Sequence, residues 1–67
     1  MRISYNKLWK MLIDKNMKKS DLREKAGISS ASLAKLGKGD NITTDVLLRI
    51  CEEMDCRIED ILETVRD

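Results

Sequence analysis

Apolar residues recur every three or four positions along most of the chain, a spacing typical of amphipathic helices. It predicts five helices, at about residues 4–16, 19–26, 29–37, 44–54 and 58–64. The residues expected to face inward are Tyr5, Leu8, Leu12, Leu22, Ala26, Leu33, Leu36, Leu47, Ile50, Cys51, Met54, Ile58, Ile61 and Leu62. No alternating strand pattern accompanies them. The pattern therefore predicts an all-α fold of five short helices.

Residues that cap or stop helices lie between these apolar stripes. Glycine ends a helix by adopting left-handed backbone angles, and a serine or threonine hydroxyl caps a helix start. The residues at the expected boundaries are Gly27, Ser29 or Ser30, Gly37 and Gly39, and Thr43. The second and third helices are thus predicted to be joined by a short turn that contains a glycine. Such a pair of helices is a helix-turn-helix unit, here at about residues 19–37.

The length of 67 residues predicts a single domain, residues 1–67, whose core is small. Charged residues make up 37% of the chain and aromatic residues 3%, which is typical of a soluble helical domain. Apolar runs reach only three or four residues, too short for a membrane span or a signal peptide. A cytoplasmic, nucleoid-associated protein without a membrane partner is expected.

Candidate chemistry in the sequence is sparse. Cys51 and Cys56 are the only cysteines and there is no histidine, so the usual zinc ligand set is absent. Both cysteines are expected to be reduced and to pack as small hydrophobic residues. No phosphate-binding glycine loop is present, and the proximity of Ser32 to Lys35 is commonplace on helices. We therefore expect no metal, no cofactor and no catalytic activity.

The net charge of +1 hides two opposite halves. Residues 1–38 contain ten Lys and Arg against three Asp and Glu, whereas residues 39–67 contain three against nine. The halves therefore carry about +7 and −6. Charges that merely solvate helix faces would not need to be segregated in this way. A chain of this kind can present one basic surface to a polyanion such as nucleic acid.

The segments "DLREKAGISSASLAKLGKG" and "ITTDVLLRICEEMDCRIEDIL" resemble the lambda-repressor-like (Cro/cI-type, XRE) DNA-binding domains. The resemblance spans about residues 5–62. It implies a compact five-helix fold that binds double-stranded operator DNA, often an inverted repeat, usually as a homodimer. It also implies regulation of transcription, most often repression, with the third helix in the major groove. The C-terminal helices, residues 44–64, are then expected to form the dimer contact.

The resemblance assigns roles to particular residues when its motif is matched position by position. The base-facing residues are Ser30, Ala31, Ala34 and Lys35. The phosphate contacts are Lys18, Lys19, Ser29 and Lys38. Independently of the motif, the apolar residues near the acidic C-terminal end predict a dimer interface that contains Ile61, Leu62 and Val65. Lysines at the start of a helix are unfavourable for its dipole, and a DNA phosphate docked there would reverse the penalty.

The sequence departs from the family pattern at several of these positions. Lys18 and Lys19 replace the Ser or Thr cap and the Gln that many relatives have. Leu12 and Gly37 replace an arginine and glutamate that pair in many relatives. Small residues on the third helix suggest that groove shape carries part of the specificity. The alternative function is a protein-interaction module, antitoxin-like or adaptor, that uses the apolar residues Ile3, Trp9, Met11 and Val65.

Overall fold

The computed structural model describes residues 1–66 and contains four α-helices and a small sheet. Its elements are β1 (Arg2–Ser4), α1 (Asn6–Asp14), α2 (Lys19–Ala26), α3 (Ser30–Lys38), α4 (Thr44–Met54), a 3-10 turn (Ile58–Asp60) and β2 (Glu63–Val65). The predictions of helices near 4–16, 19–26, 29–37 and 44–54 are confirmed. The molecule measures 32 × 24 × 17 Å. Within residues 1–66, no helix is long and apolar enough to cross a membrane.

The predicted fifth helix was wrong. Its first residues form a single 3-10 turn, which Asp60 starts by accepting a hydrogen bond from the backbone N–H of Arg57 at 2.9 Å. The chain then extends as β2 and pairs antiparallel with β1, with Arg2 opposite Val65 and Ser4 opposite Glu63. The backbone groups of residues 63–65 thus find partners at the other end of the chain. The predicted helical fold is confirmed, with four helices in place of five and a two-stranded sheet that was not predicted.

The core lies between the helices and beneath the sheet. Its buried residues are Tyr5, Leu8, Leu12, Leu22, Ala26, Ile28, Leu36, Leu47, Ile50, Met54 and Ile61. Four expected members differ, because Leu33, Cys51 and Leu62 are only half-buried and Ile58 is 39% exposed. Ile58 opens the 3-10 turn, so the helical spacing that would have turned it inward does not apply to it.

All four helices end in the same way, with a left-handed residue that turns the chain. The next residue donates its backbone N–H to a carbonyl five positions back, which is the Schellman arrangement. These bonds join Met17 to Leu12, Ile28 to Arg23, Asp40 to Lys35 and Cys56 to Cys51, at 2.9 to 3.1 Å. The left-handed residues are Asn16, Gly27, Gly39 and Asp55. Of the two predicted stops of α3, Gly39 is confirmed and Gly37 is not, since the helix continues through Gly37 to Lys38.

Candidate nucleic-acid interface

The turn between α2 and α3, residues 27–29, fixes how α3 is presented. Gly27 adopts φ +68°, a conformation that side-chain-bearing residues rarely take. Ile28 is 6% exposed and anchors the turn in the core. The Ser29 hydroxyl accepts a hydrogen bond from the backbone N–H of Ser32 at 3.0 Å, so Ser29 is the cap of α3. The backbone angle of Gly27, the buried Ile28 side chain and the Ser29 cap together set the direction of α3.

The outer face of α3 contains the residues predicted to face DNA bases. Ser30, Ala31, Ala34 and Lys35 are all exposed, while Leu36 on the opposite side is 1% exposed. The structure therefore brings the four predicted residues onto one face. All of these side chains except Lys35 are small, so little projects from this face apart from one cation near its end.

The residues predicted to contact phosphate are also exposed, at the two ends of the helix pair and in the turn between its helices. Lys18 and Lys19 are at the start of α2, Ser29 is at the start of α3, and Lys38 is its last residue. The Ser29 hydroxyl also donates to the hydroxyl of Ser32 at 3.1 Å. A phosphate contact from the Ser29 side chain would therefore have to redirect that proton.

The start of α2 combines a carboxylate with two lysines. The Asp21 side chain accepts a hydrogen bond from the backbone N–H of Lys18 at 3.0 Å, which satisfies one donor that the helix leaves free. The ammonium of Lys19 lies 4.4 Å from the centre of the Trp9 ring, a cation–π contact. Lys19 is thus held by an aromatic side chain of α1. Sequence reasoning treated Trp9 only as an exposed apolar residue and missed this contact.

Arg49 of α4 is a second residue that the sequence did not single out. Its guanidinium donates to the Gly27 carbonyl at 3.2 Å and to the Asp45 carboxylate at 3.0 Å. Arg49 therefore ties the turn of the helix pair to α4. The pairing with Asp45, four residues earlier, was readable from helical spacing, but the bond to Gly27 depends on tertiary packing.

Tyr5 supports the opposite end of α3. Its hydroxyl donates to the backbone carbonyl of Asp40 at 2.9 Å, just after α3 ends. Burial raises the pKa of the Tyr5 phenol, and the nearby negative charge of Asp40 raises it further. The hydroxyl therefore stays protonated and keeps its hydrogen bond at neutral pH.

The predicted dimer residues fall into two groups. Ile61 is fully buried in the core of the chain, so it has no surface to offer a second copy, and its assignment to an interface is corrected. Leu62 and Val65 are half-buried and lie before and within β2. The helical spacing of residues 58–64 also predicted that Ile61 faces inward, and that prediction is confirmed; only its assignment to the interface is wrong.

Two pockets flank the helix pair and differ in charge. The larger, of about 580 Å³, lies between α2 and α4 and is lined by Lys25, Ala26, Asp45, Arg49, Glu52 and Glu53. The smaller, of about 180 Å³, lies between the N-terminal segment and the last turn of α3. Its lining includes Arg2, Asn6, Trp9 and Lys38, and among residues 1–66 it contains no carboxylate.

The helix pair, its short glycine turn and the basic outer surface define a helix-turn-helix protein of the DNA-binding class. The family model described as the Cro/C1-type HTH DNA-binding domain matches residues 7–67. The chain therefore belongs to the Cro/C1-type helix-turn-helix family, as the resemblance predicted.

A solved structure, "Crystal structure of transcriptional regulator VanUg, Form II", is similar to this chain over most of its length. Its TM-score is 0.94 and its sequence identity 53%, and the match covers 98% of this chain and 88% of that chain. Comparison with the curated proteins gave no match.

Proposed function

We propose that this DNA-binding transcription regulator is a repressor that binds an inverted-repeat operator as a homodimer, with α3 in the major groove. It would act in the cytoplasm, on the nucleoid. Occupation of a promoter by the bound protein would itself block transcription, so the proposal needs no catalytic step. The observation that supports this proposal is the outer face of α3, where three small exposed side chains and the Lys35 cation lie together.

Each residue of this face has a suitable partner in the major groove. The Ser30 hydroxyl can donate to or accept from several base edges, and Ala31 or Ala34 can pack on a thymine methyl. Lys35 can reach the O6 or N7 atom of guanine. Because three of the four side chains are small, α3 can approach the bases closely. Groove shape would then add to the discrimination that these few contacts provide.

Lys18, Lys19, Ser29 and Lys38 would contact the DNA backbone on either side of α3. The two lysines at the start of α2 support this, because they oppose the helix dipole in the free protein. A phosphate docked there would interact favourably with both the lysines and the helix N-terminus. Within residues 1–66, the side chains of Lys18 and Lys38 form no ion pair that would compete with phosphate.

The dimer would form through the C-terminal segment, with Leu62 and Val65 at the contact and the basic halves facing one operator. Two copies of α3 would then sit about 34 Å apart, one turn of DNA. Sedimentation of the free and operator-bound protein at tens of micromolar measures the stoichiometry. Two protomers on each operator are expected, and a strict monomer in both samples would exclude the dimer.

The decisive test compares Lys35→Ala with Lys38→Ala. An operator is first obtained by sequencing genomic fragments that bind the purified protein at moderate salt. Lys35→Ala should then cost about 1–3 kcal/mol on that operator and relax the preference at one base pair. Lys38→Ala should weaken all duplexes alike and flatten the slope of log affinity against log salt by about one unit. Equal losses on specific and scrambled duplexes for Lys35→Ala would refute the major-groove assignment.

The alternative, a protein-interaction module, receives less support from the structure. The apolar residues it would use, Ile3, Trp9, Met11 and Val65, are half-buried and pack against the core. Salt separates the two functions, because phosphate contacts weaken steeply with salt whereas an apolar protein interface does not.

A further inference from the structure

The end of α4 brings the two cysteines of the chain together. Asp55 follows the helix in a left-handed conformation, with φ 50°, and turns the chain back toward it. The backbone N–H of Cys56 then donates to the carbonyl of Cys51 at 3.1 Å. With standard bond lengths, this hydrogen bond keeps the two Cα atoms within about 7 Å of each other. Two cysteines can be joined by a disulfide without backbone movement up to about 7 Å.

The two side chains also meet. The Cys56 thiol donates a hydrogen bond to the sulfur of Cys51. In the Schellman arrangement, these two positions are the ones whose side chains commonly touch. The sulfur atoms are thus already neighbours in the reduced protein, before any bond joins them.

The pair is accessible from solvent. Cys51 and Cys56 are both free thiols, and both are only half-buried. They pack against the core instead of lying within it. A small reagent can therefore reach either sulfur without unfolding the chain.

Carboxylates near the pair disfavour a negative charge on either sulfur. Burial raises the pKa of Cys51, the hydrogen bond from Cys56 partly opposes that rise, and Asp60 and Glu59 add to it. Thiols in such surroundings stay protonated and react slowly, because the thiolate is the nucleophile. A disulfide carries no charge, so these surroundings do not oppose it. They slow its formation without destabilising the product.

We propose that Cys51 and Cys56 form a reversible disulfide site that low-molecular-weight disulfides oxidise. The bond would close a loop of six residues, 51–56, across the end of α4. It would tie the start of the C-terminal segment to the last turn of that helix. In a reducing compartment such a bond is transient, and it forms when the ratio of disulfide to thiol rises. The inference does not depend on DNA binding.

The oxidation takes two exchange steps. Cys51 loses its proton to solvent, and its thiolate attacks one sulfur of the reagent disulfide, releasing a reagent thiolate that takes up a proton. Cys56 then loses its proton, and its thiolate attacks the Cys51 sulfur and releases the second reagent thiolate, which is protonated in turn. Two protein thiols are thereby oxidised by two electrons, and one reagent disulfide is reduced to two thiols. Cys51 is the first nucleophile because the hydrogen bond from Cys56 stabilises its thiolate.

The equilibrium constant for oxidation by glutathione disulfide tests the site. The protein is equilibrated with mixtures of reduced and oxidised glutathione, in buffer and in concentrated urea, and mass spectrometry measures the fraction of chains that have lost two hydrogens. Because the thiols react slowly, equilibrium is approached from both the reduced and the oxidised protein. The constant should be at least about tenfold larger in the native protein than in urea, because the fold holds the two thiols together.

Stability gives an independent measurement of the same quantity. Oxidation and unfolding form a closed thermodynamic cycle, so the disulfide must raise the folding equilibrium constant by the same factor. A tenfold factor corresponds to about 1.4 kcal/mol. Urea denaturation of the oxidised and reduced protein measures it.

A displaced pair of thiols is the matched control. The double variant Cys51→Ser, Glu52→Cys moves one thiol to the next residue of α4, about 100° round the helix. Its loop is nearly the same size, but its thiols are no longer neighbours. The native constant of this variant should exceed its value in urea by no more than about threefold. The single variants Cys51→Ser and Cys56→Ser should form only mixed disulfides, and circular dichroism verifies that all three variants fold.

Several results would overturn the assignment. One is a native constant no larger than the constant in urea. Others are wild-type chains that stop at a mixed disulfide with glutathione, or that form covalent dimers on a non-reducing gel. An equally large native constant for the displaced pair would show that loop size, and not the end of α4, favours the bond, and it would overturn the assignment as well.

Discussion

α3 and α4 start and end alike but serve different purposes. Each begins at a hydroxyl cap, Ser29 or Thr43, and each ends at a left-handed residue. α3 buries one residue, Leu36, while α4 buries Leu47, Ile50 and Met54. The helix that presents the DNA-facing surface therefore contributes little to the core, and the helix behind it contributes much. Binding chemistry on α3 can vary while α4 maintains the fold.

The largest expected effect is on the free energy of unfolding, to which α4 should contribute much more than α3. Ile50→Ala should lower the free energy of unfolding by about 2–5 kcal/mol, because Ile50 is fully buried and a cavity would be left. Ser30→Ala, on the exposed face of α3, should change it by less than about 0.5 kcal/mol. Urea denaturation measures both. If Ser30→Ala lowered the free energy of unfolding as much as Ile50→Ala, the exposed face of α3 would be shown to contribute to stability.

A second prediction concerns the thiols at the end of α4. Burial, with smaller contributions from the neighbouring Cys51, Asp60 and Asp55, raises the pKa of Cys56 to about 11. Burial also raises the pKa of Cys51. At neutral pH the Cys56 thiolate should be about 100-fold rarer than for a thiol of the reference pKa of 9.0. Reaction with a disulfide reagent should therefore be slow in the native protein and fast in urea.

The single-cysteine variants Cys51→Ala and Cys56→Ala assign the two reaction rates. Rapid native reaction of Cys56 near pH 7 would contradict the burial. Slow reaction would agree with the sequence expectation that both cysteines act as small hydrophobic residues. Their backbone groups are joined by the Schellman bond at the end of α4, where an apolar contact between these two positions is common.

Most helices could be predicted from the sequence because their signals are local. The stripe of α4 and its Thr43 cap fall within one segment, and so do Gly27 and the apolar Ile28 that follows it. The sheet could not be predicted, because three-residue strands are too short for alternation to show. Its pairing also joins Arg2 to Val65, and local periodicity holds no information about that partner.

The site was predicted where exposure follows from helical spacing and was missed where it depends on tertiary contacts. The outward positions of Ala31 and Lys35 follow from spacing. The contact of Trp9 with Lys19 and the bond from Arg49 to Gly27 join separate helices. Helical spacing correctly predicted that Ile61 faces inward, whereas its assignment to an interface rested only on its being apolar and near the C-terminus. Its complete burial in the core excludes that second role.

Arg49 connects α4 to the turn of the helix pair. Its substitution should have an effect of intermediate size on the free energy of unfolding. Arg49→Met keeps most of the side-chain length but removes the donors to Gly27 and Asp45. It should lower the free energy of unfolding by about 0.5–1.5 kcal/mol. Asp45→Asn weakens the exposed ion pair and removes a favourable charge from the first turn of α4, but it keeps the bond to Gly27 and should cost less. Equal losses in denaturation would mean that the bond to Gly27 contributes nothing.

The smallest expected effect compares the left-handed residues that end α1 and α4. Asn16 has φ 56° and Asp55 has φ 50°, angles that glycine adopts without a Cβ clash. Asn16→Gly and Asp55→Gly should each relieve this strain, at some cost from the greater freedom of glycine in the unfolded chain. Asp55→Gly also removes a negative charge from the C-terminal end of a helix dipole, where it is unfavourable by about 0.3–1 kcal/mol. Asp55→Gly should therefore stabilise the protein more than Asn16→Gly does.

Thermal unfolding at low and high salt measures the difference, which should shrink as salt screens the dipole. A larger gain from Asn16→Gly at low salt would show that the charge at the end of α4 does not weaken that helix.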